Sequence, residues 1–300
     1  MMNCDTTGPC SGDMTDSMKN TILAMKRLTF SFALLGAFLA SAAAAHAAAS
    51  SWAEAHGGRL RVIVPGGQAG ADGSLRAGIE IELKPGWKTY WRQPGDAGIP
   101  PQFDVADSVN LADFKVDFPV PKRFDEAGST MIGYKNTVVF PVTVTPKDPS
   151  QPTLLDLEVD YGLCEAICVP ARAEIRMDLS KADDTDMAAS LLVARYDAKV
   201  PRQKPADAEN GLRVASVERD DRAILVSAEL VDPDAPFDLF VEGPADWFLP
   251  AAKPTGRDGA TARWRVPLEW LPKTAKLPGA ELRLTLVNGN QAAEQIWTLK

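Results

Sequence analysis

Apolar and polar residues alternate in short runs along most of the chain from Gly58 onward. Leu60 to Val64, Leu75 to Leu83, Trp87 to Arg92, Phe114 to Phe118, Thr137 to Thr145, Leu154 to Tyr161 and Val169 to Leu179 are each bounded by Gly, Pro or Asp. A period of two over runs this short predicts half-buried strands. About seven of them in ~120 residues predict an antiparallel β-sandwich of immunoglobulin type. Pro141 lacks a backbone donor, so the Thr137 to Thr145 strand is expected at a sheet edge or at a bulge.

Between Asp183 and Val200 the period changes. Asp184 and Thr185 are placed to cap a helix whose apolar residues Met187, Leu191, Leu192 and Ala194 recur at helical spacing, and Pro201 and Pro205 follow as its stop. Residues 181–210 thus read as a helical, Pro-rich linker. After Gly211 strands resume at Leu212 to Val217, Ala223 to Leu230, Phe237 to Glu242, Ala262 to Val266, Leu282 to Val287 and Gln295 to Leu299, with Asn288-Gly289-Asn290 as a hairpin turn. These predict a second, smaller sandwich over 211–300 with Trp247, Trp264 and Trp297 as core candidates. The fold class is all-β: two immunoglobulin-like sandwiches joined by a linker.

Composition agrees, since 300 residues with 45% hydrophobic content suffice for two globular cores. Met25-Lys26-Arg27, an apolar run from Leu28 to Ala40 and Ala45-His46-Ala47 read as the three regions of a secretory signal over 25–47. Residues 1–24 then read as a mis-assigned start or a disordered leader, and the exported domain as 48–180. No apolar run of about 18 follows the signal, so a soluble exported protein is expected. The net charge of −8 makes nucleic acid and anionic membranes poor partners. His56 is the one histidine after the signal, which leaves little room for histidine-based hydrolase chemistry or His-rich metal sites.

With Cys4 and Cys10 upstream of the signal, the exported chain keeps Cys164 and Cys168, separated by three residues between two strand-like runs. The pair should face one another at the head of a hairpin. A bridge closing about five residues stabilises by only ~2 kcal/mol in the chain-entropy model, which favours a redox role over a structural staple. A structural disulfide in a non-catalytic interaction domain and a copper(I) site of two thiolates remain the alternatives. Asp160 and Glu165 are near in sequence and no base lies in the motif, so the thiols are expected to exchange with a partner's activated thiolate rather than to attack unaided. Trp87, Tyr90 and Trp91 in PGWKTYWRQPGDAGIPP read either as core or as an apolar wall around the sulfurs. Phe124 to Tyr134 (FDEAGSTMIGY) reads as a strand connection or as a lid over them.

GWKTYWRQPGDAGIPPQF, FPVPKRF, IGYKNTVVFPVTV and VDYGLCEAICVPARAEI, in this order, resemble the N-terminal periplasmic part of the DsbD/ScsB thiol:disulfide interchange family, on its ScsB or suppressor of copper sensitivity branch. The resemblance spans roughly residues 58 to 180, and more loosely the second β domain. It implies a periplasmic electron-transfer module, a component of a protein-disulfide reductase, with no cofactor and no metal. Cys164 and Cys168 are implied as the reversible pair, with Cys168 forming the mixed disulfide. Tyr90 and the region Phe124 to Gly128, with Asp125 and Glu126, fall where the family places an active-site tyrosine and a cap loop, while Trp87, Trp91 and Tyr134 stay wall or cap candidates on the reading of the residues alone. A membrane thiol-transfer protein or a thioredoxin-like protein is the implied donor, and a periplasmic oxidoreductase or cytochrome c maturation factor the recipient. The Cys-x3-Cys spacing is shorter than that of DsbD. The sequence stops after the second β domain, so separate polypeptides are expected to supply the membrane and thioredoxin-like parts, unless the chain is a stand-alone relay or binding protein.

Overall fold

The alternating runs become strands that pair mostly with neighbours distant in sequence. In order they are β1 (Ala53–Ala55), β2 (Gly58–Ile63), β3 (Leu75–Leu83), β4 (Lys88–Gly95), β5 (Gln102–Asp104), β6 (Leu111–Val116), β7 (Lys122–Glu126), β8 (Ser129–Lys135), β9 (Thr137–Pro146), β10 (Leu154–Cys164) and β11 (Cys168–Asp178). One sheet has the order β1-β2-β3-β9-β6, the other β11-β10-β4-β8-β7 with β5 also on β10. The computed structural model describes residues 49–65, 70, 72–126, 128–181 and 186–300. The predicted leader and signal, Cys4, Cys10 and the proposed caps Asp184 and Thr185 lie outside the described residues.

The inner faces of the two sheets share one core, in which Phe140 is a hub. Its ring meets Phe103, Phe118 and Tyr134 edge-on, with centroids 6.0, 5.0 and 5.5 Å away. Edge-on contacts suit the ring quadrupole. Burying each large apolar side chain contributes about 1.5–3 kcal/mol against leaving it in water. The helix α1 (Met187–Asp197) covers the outside of the first sheet, where Val193 packs on Ile63 and Val139. That explains why β9 is buried on both faces.

Two expectations need correction here. β9 is not an edge strand: it lies between β3 and β6, with Pro141 opposite Gly78 and no register shift against β3. The pairing with β6 ends at Val116 and Val142, just before Pro141, so the missing donor falls where the ladder stops. The helix buries Ala189 and Val193, whereas Met187 and Leu191 are exposed, and its N-cap is Asp186, whose side chain accepts from the Ala189 amide. The buried face was set by what β9 offers, not by the larger side chains.

Beyond α1 come β12 (Arg202–Gln203), β13 (Arg213–Arg219), β14 (Ala223–Glu229), β15 (Phe237–Glu242), β16 (Lys253–Asp258), β17 (Thr261–Pro267), β18 (Glu281–Asn288) and β19 (Gln291–Thr298). Their sheets, β12-β19-β18-β15 and β13-β14-β17-β16, enclose a second core with Trp264 at its centre, while Trp247 and Trp297 pack at its margin. Asn288 pairs with Gln291, and Gly289 adopts φ 57° in the turn between them. The described residues from 49 to 300 belong to one compact unit, and Phe240 and Ala251 of the second half complete the core of the first.

Candidate redox site

β10 and β11 are a hairpin of eleven paired positions that ends with Cys164 opposite Cys168. Register partners in an antiparallel ladder lie on the same face, and here a disulfide joins them across a Cα separation of 4.1 Å. The Glu165-Ala166-Ile167 tip is exposed, with Ile167 at 74%. Cys168 is exposed and Cys164 half-buried. Cys168 is therefore the more exposed residue of the pair.

β4 approaches the pair from the other side of β10, with Lys88 opposite Cys164 and Thr89 opposite Leu163. The Thr89 hydroxyl donates to the Gly162 carbonyl at 2.8 Å and fixes that junction. The next residue, Tyr90, is 2% exposed, and its hydroxyl donates to Cys168 Sγ at 2.8 Å. Burial pushes the phenol pKa up, so the hydroxyl stays a donor. Two glycines make room for the ring. A Cβ on Gly162 would fall 2.7 Å from Tyr90 Cε2, and one on Gly98 2.2 Å from Cε1. Gly98 also has φ 150°, which a side chain tolerates poorly.

The remaining predicted residues are distributed around this centre. Trp91 is fully buried against Phe240 of the second sandwich, with centroids 5.5 Å apart. Trp87 is half-buried beside His56, at 5.4 Å and edge-on. Tyr134 is a core residue: its hydroxyl donates to the Pro119 carbonyl at 2.7 Å, and burial raises its pKa well above the usual phenol value. Phe124 to Tyr134 is not a loop but the hairpin β7–β8, paired from Lys122–Gly133 to Glu126–Ser129. Phe124 lies under the Lys135 ammonium at 4.5 Å, and Asp125 accepts from the Thr130 hydroxyl at 2.6 Å. The side chain of Glu126 lies outside the described residues.

The electrostatics differ from the sequence expectation. Asp160 does not weigh on the thiols alone, because Arg172 donates two hydrogen bonds to it at 2.7 and 2.6 Å and lowers its pKa. Lys88, 3% exposed, stands beside Cys164 in the ladder, and Tyr90 supplies a donor to Cys168. Lys88 and Thr89 went unread because only the β4–β10 pairing brings them here, and Gly98 because the loop after β4 reaches β10 through the Gly162 amide on the Ile99 carbonyl. Gly162 did leave a signal, since glycine inside a strand often marks a close approach. Among the described residues no group of three or more His, Cys, Asp or Glu is arranged to hold a metal.

The fold and site define a class: an all-β protein of immunoglobulin-like sandwiches, the first bearing a disulfide at an exposed hairpin tip. Residues 62–179 match the family described as "Thiol:disulfide interchange protein DsbD, N-terminal", so the first sandwich is a domain of DsbD N-terminal type. Residues 199–300 match a second family, "Domain of unknown function (DUF8393)". More particularly, the structure is similar to the N-terminal periplasmic domain of ScsB from Proteus mirabilis, with 20% identity, coverage of 84% of this chain and 98% of that one, and a TM-score of 0.69. A conserved domain protein from Bacillus anthracis aligns at 11% identity over 84% of this chain and 90% of that one, with a TM-score of only 0.20. No curated protein matches the chain. Among the described residues, no helix is long and apolar enough to cross a membrane.

Proposed function

We propose that this chain is a periplasmic dithiol relay that exchanges electrons with partner proteins through a reversible Cys164–Cys168 disulfide. The observation that carries the reading is the Tyr90 hydroxyl on the sulfur of the exposed cysteine, at the tip of a solvent-facing hairpin. A staple has no need of a buried hydrogen-bond donor aimed at its sulfur, whereas a thiolate that must form and depart is stabilised by one.

In the reducing step the donor's thiolate attacks Cys168 Sγ and the Cys164–Cys168 bond breaks. Cys164 leaves as a thiolate and takes a proton from solvent. The donor's second thiol then attacks its own sulfur in the mixed disulfide and releases Cys168, whose developing charge meets the Tyr90 hydroxyl. The chain gains two electrons and two protons, and the donor is left as a disulfide. Delivery to a recipient runs the same steps in reverse, with the Cys168 thiolate as nucleophile. A membrane thiol-transfer protein or a thioredoxin-like protein suits the donor role, and a periplasmic oxidoreductase or a cytochrome c maturation factor the recipient role. In this reading 48–180 is the redox domain, 181–210 the linker and 211–300 the second domain, and the segment 25–47 directs export and is removed.

The test is incubation of the oxidised protein with a reduced thioredoxin-like donor, followed by thiol counting. A gain of two thiols is expected, and Cys168→Ser should abolish mixed-disulfide capture. Failure to gain thiols from any such donor would refute the reading.

A further inference from the structure

Tyr90 is the last residue of β4 paired with β8 before a gap, and it lies one residue past the end of the pairing with β10. β4 pairs with β10 only at Lys88 and Thr89, and its pairing with β8 is interrupted between Tyr90 and Gly95. Where those backbone bonds lapse, the second sandwich takes hold of the strand. Arg92 donates to both oxygens of Glu242 at 2.7 and 2.8 Å and also to Glu294. Gln93 donates to the Leu249 carbonyl at 2.7 Å, and Trp91 packs on Phe240. Three consecutive residues after Tyr90 are thus anchored in the other sandwich.

The charged part of the anchor is largely withdrawn from solvent. Arg92 is 19% exposed and Glu294 5%, and the guanidinium stacks over Trp91 at 4.5 Å. Glu294 is held further by Gln203 and by Thr285. Removing one partner of such a cluster leaves an uncompensated buried charge, so the arrangement has one strongly preferred geometry. Hydrophobic packing alone would let the strand slide by fractions of an ångström. A bidentate guanidinium does not.

We infer that the second sandwich serves as a buttress for the redox site, and that Arg92, fixed by Glu242 and Glu294, is a positioning residue that holds Tyr90 at Cys168. This gives the domain over residues 199–300 a role that needs no chemistry of its own. The inference rests on the proposed redox role of Tyr90, but its test requires no partner protein.

The experiment uses the full exported chain with Cys164→Ser, so that Cys168 is the single thiol, and follows the pH dependence of its alkylation by iodoacetamide. Lys88, the ladder partner of Cys164, and Glu165, its neighbour in sequence, are left unchanged. Tyr90→Phe should move the midpoint up by about one pH unit, the worth of one hydrogen bond to a thiolate. Arg92→Met should move it in the same direction, and the double variant no further than Tyr90→Phe alone, because both remove one interaction. If Arg92→Met does not fold cooperatively, Glu242→Gln and Gln93→Met are read in the same way. A profile unchanged in folded clamp variants, with only the urea midpoint lowered, would overturn the inference. So would shifts that sum in the double variant, or no shift for Tyr90→Phe. Failure of thioredoxin-like donors to reduce the disulfide would strike the relay reading and leave this profile to stand or fall separately.

Discussion

Gly162→Ala tests whether the slot around Tyr90 matters. The new Cβ would lie 2.7 and 2.8 Å from Tyr90 Cε2 and Cδ2 and 2.9 Å from the Ile99 Cβ. Ordinary carbon contacts begin near ~3.5 Å, so the ring must retreat by about 0.8 Å. It cannot slide sideways, because its other edge already lies against Gly98. It must therefore rotate and carry the hydroxyl off Cys168 Sγ, now 2.8 Å away. Overpacking of this kind costs about 1–3 kcal/mol, offset in part by the ~0.5–1 kcal/mol that alanine gains over glycine within a strand. A net loss of about 1–2 kcal/mol is expected in urea unfolding of the oxidised protein, with a Cys168 alkylation profile moved toward that of Tyr90→Phe. A variant as stable as the parent, with an unmoved profile, would show that the slot does not position the tyrosine.

Three further outcomes are expected. Phe140→Ala removes the ring shared by Phe103, Phe118 and Tyr134 and should cost about 3–5 kcal/mol in urea unfolding. A loss below 1 kcal/mol would contradict its place as the core hub. All four tyrosines have pKa values raised by burial, Tyr161 to about 12. A raised folded pKa stabilises the fold fully below the unfolded value near 10 and progressively less as the pH rises past it. Phenolate absorbance should therefore lag behind that of free tyrosine and appear together with alkaline unfolding; development at pH 10 in the folded protein would be inconsistent with this burial. Glu294 behaves oppositely: burial would raise its pKa, but Arg92, Gln203 and Arg283 together bring it below the ordinary 4.5. Its contribution is present above pH 4.5 and lost as the pH falls below it, so the acid sensitivity of the urea midpoint should lessen in Glu294→Gln, and an identical acid limb would refute the assignment.

The strand runs were legible because alternation is local: β3 and β15 have the bounds that the pattern predicts, and Cys164 faces Cys168 as the hairpin requires. Segments whose pattern is weak were not. β7, β8 and the turn between them contain Asp125, Gly133 and Gly128, which look like loop chemistry, yet the strands pair because β8 completes the edge of β4. β16, exposed throughout, gave no apolar signal. Pro141 misled because its effect depends on where β6 stops, which is a property of the neighbour.

The amino-acid order alone determined the all-β character, the isolated thiol pair and its place at a hairpin head, since these depend on side chains a few positions apart. Only the tertiary structure decided what surrounds the sulfurs. Tyr90 is 78 residues from Cys168, and Arg92 is 150 residues from Glu242. Strand pairings and buried ion pairs over such separations follow from how whole sheets close on one another, which no local pattern encodes.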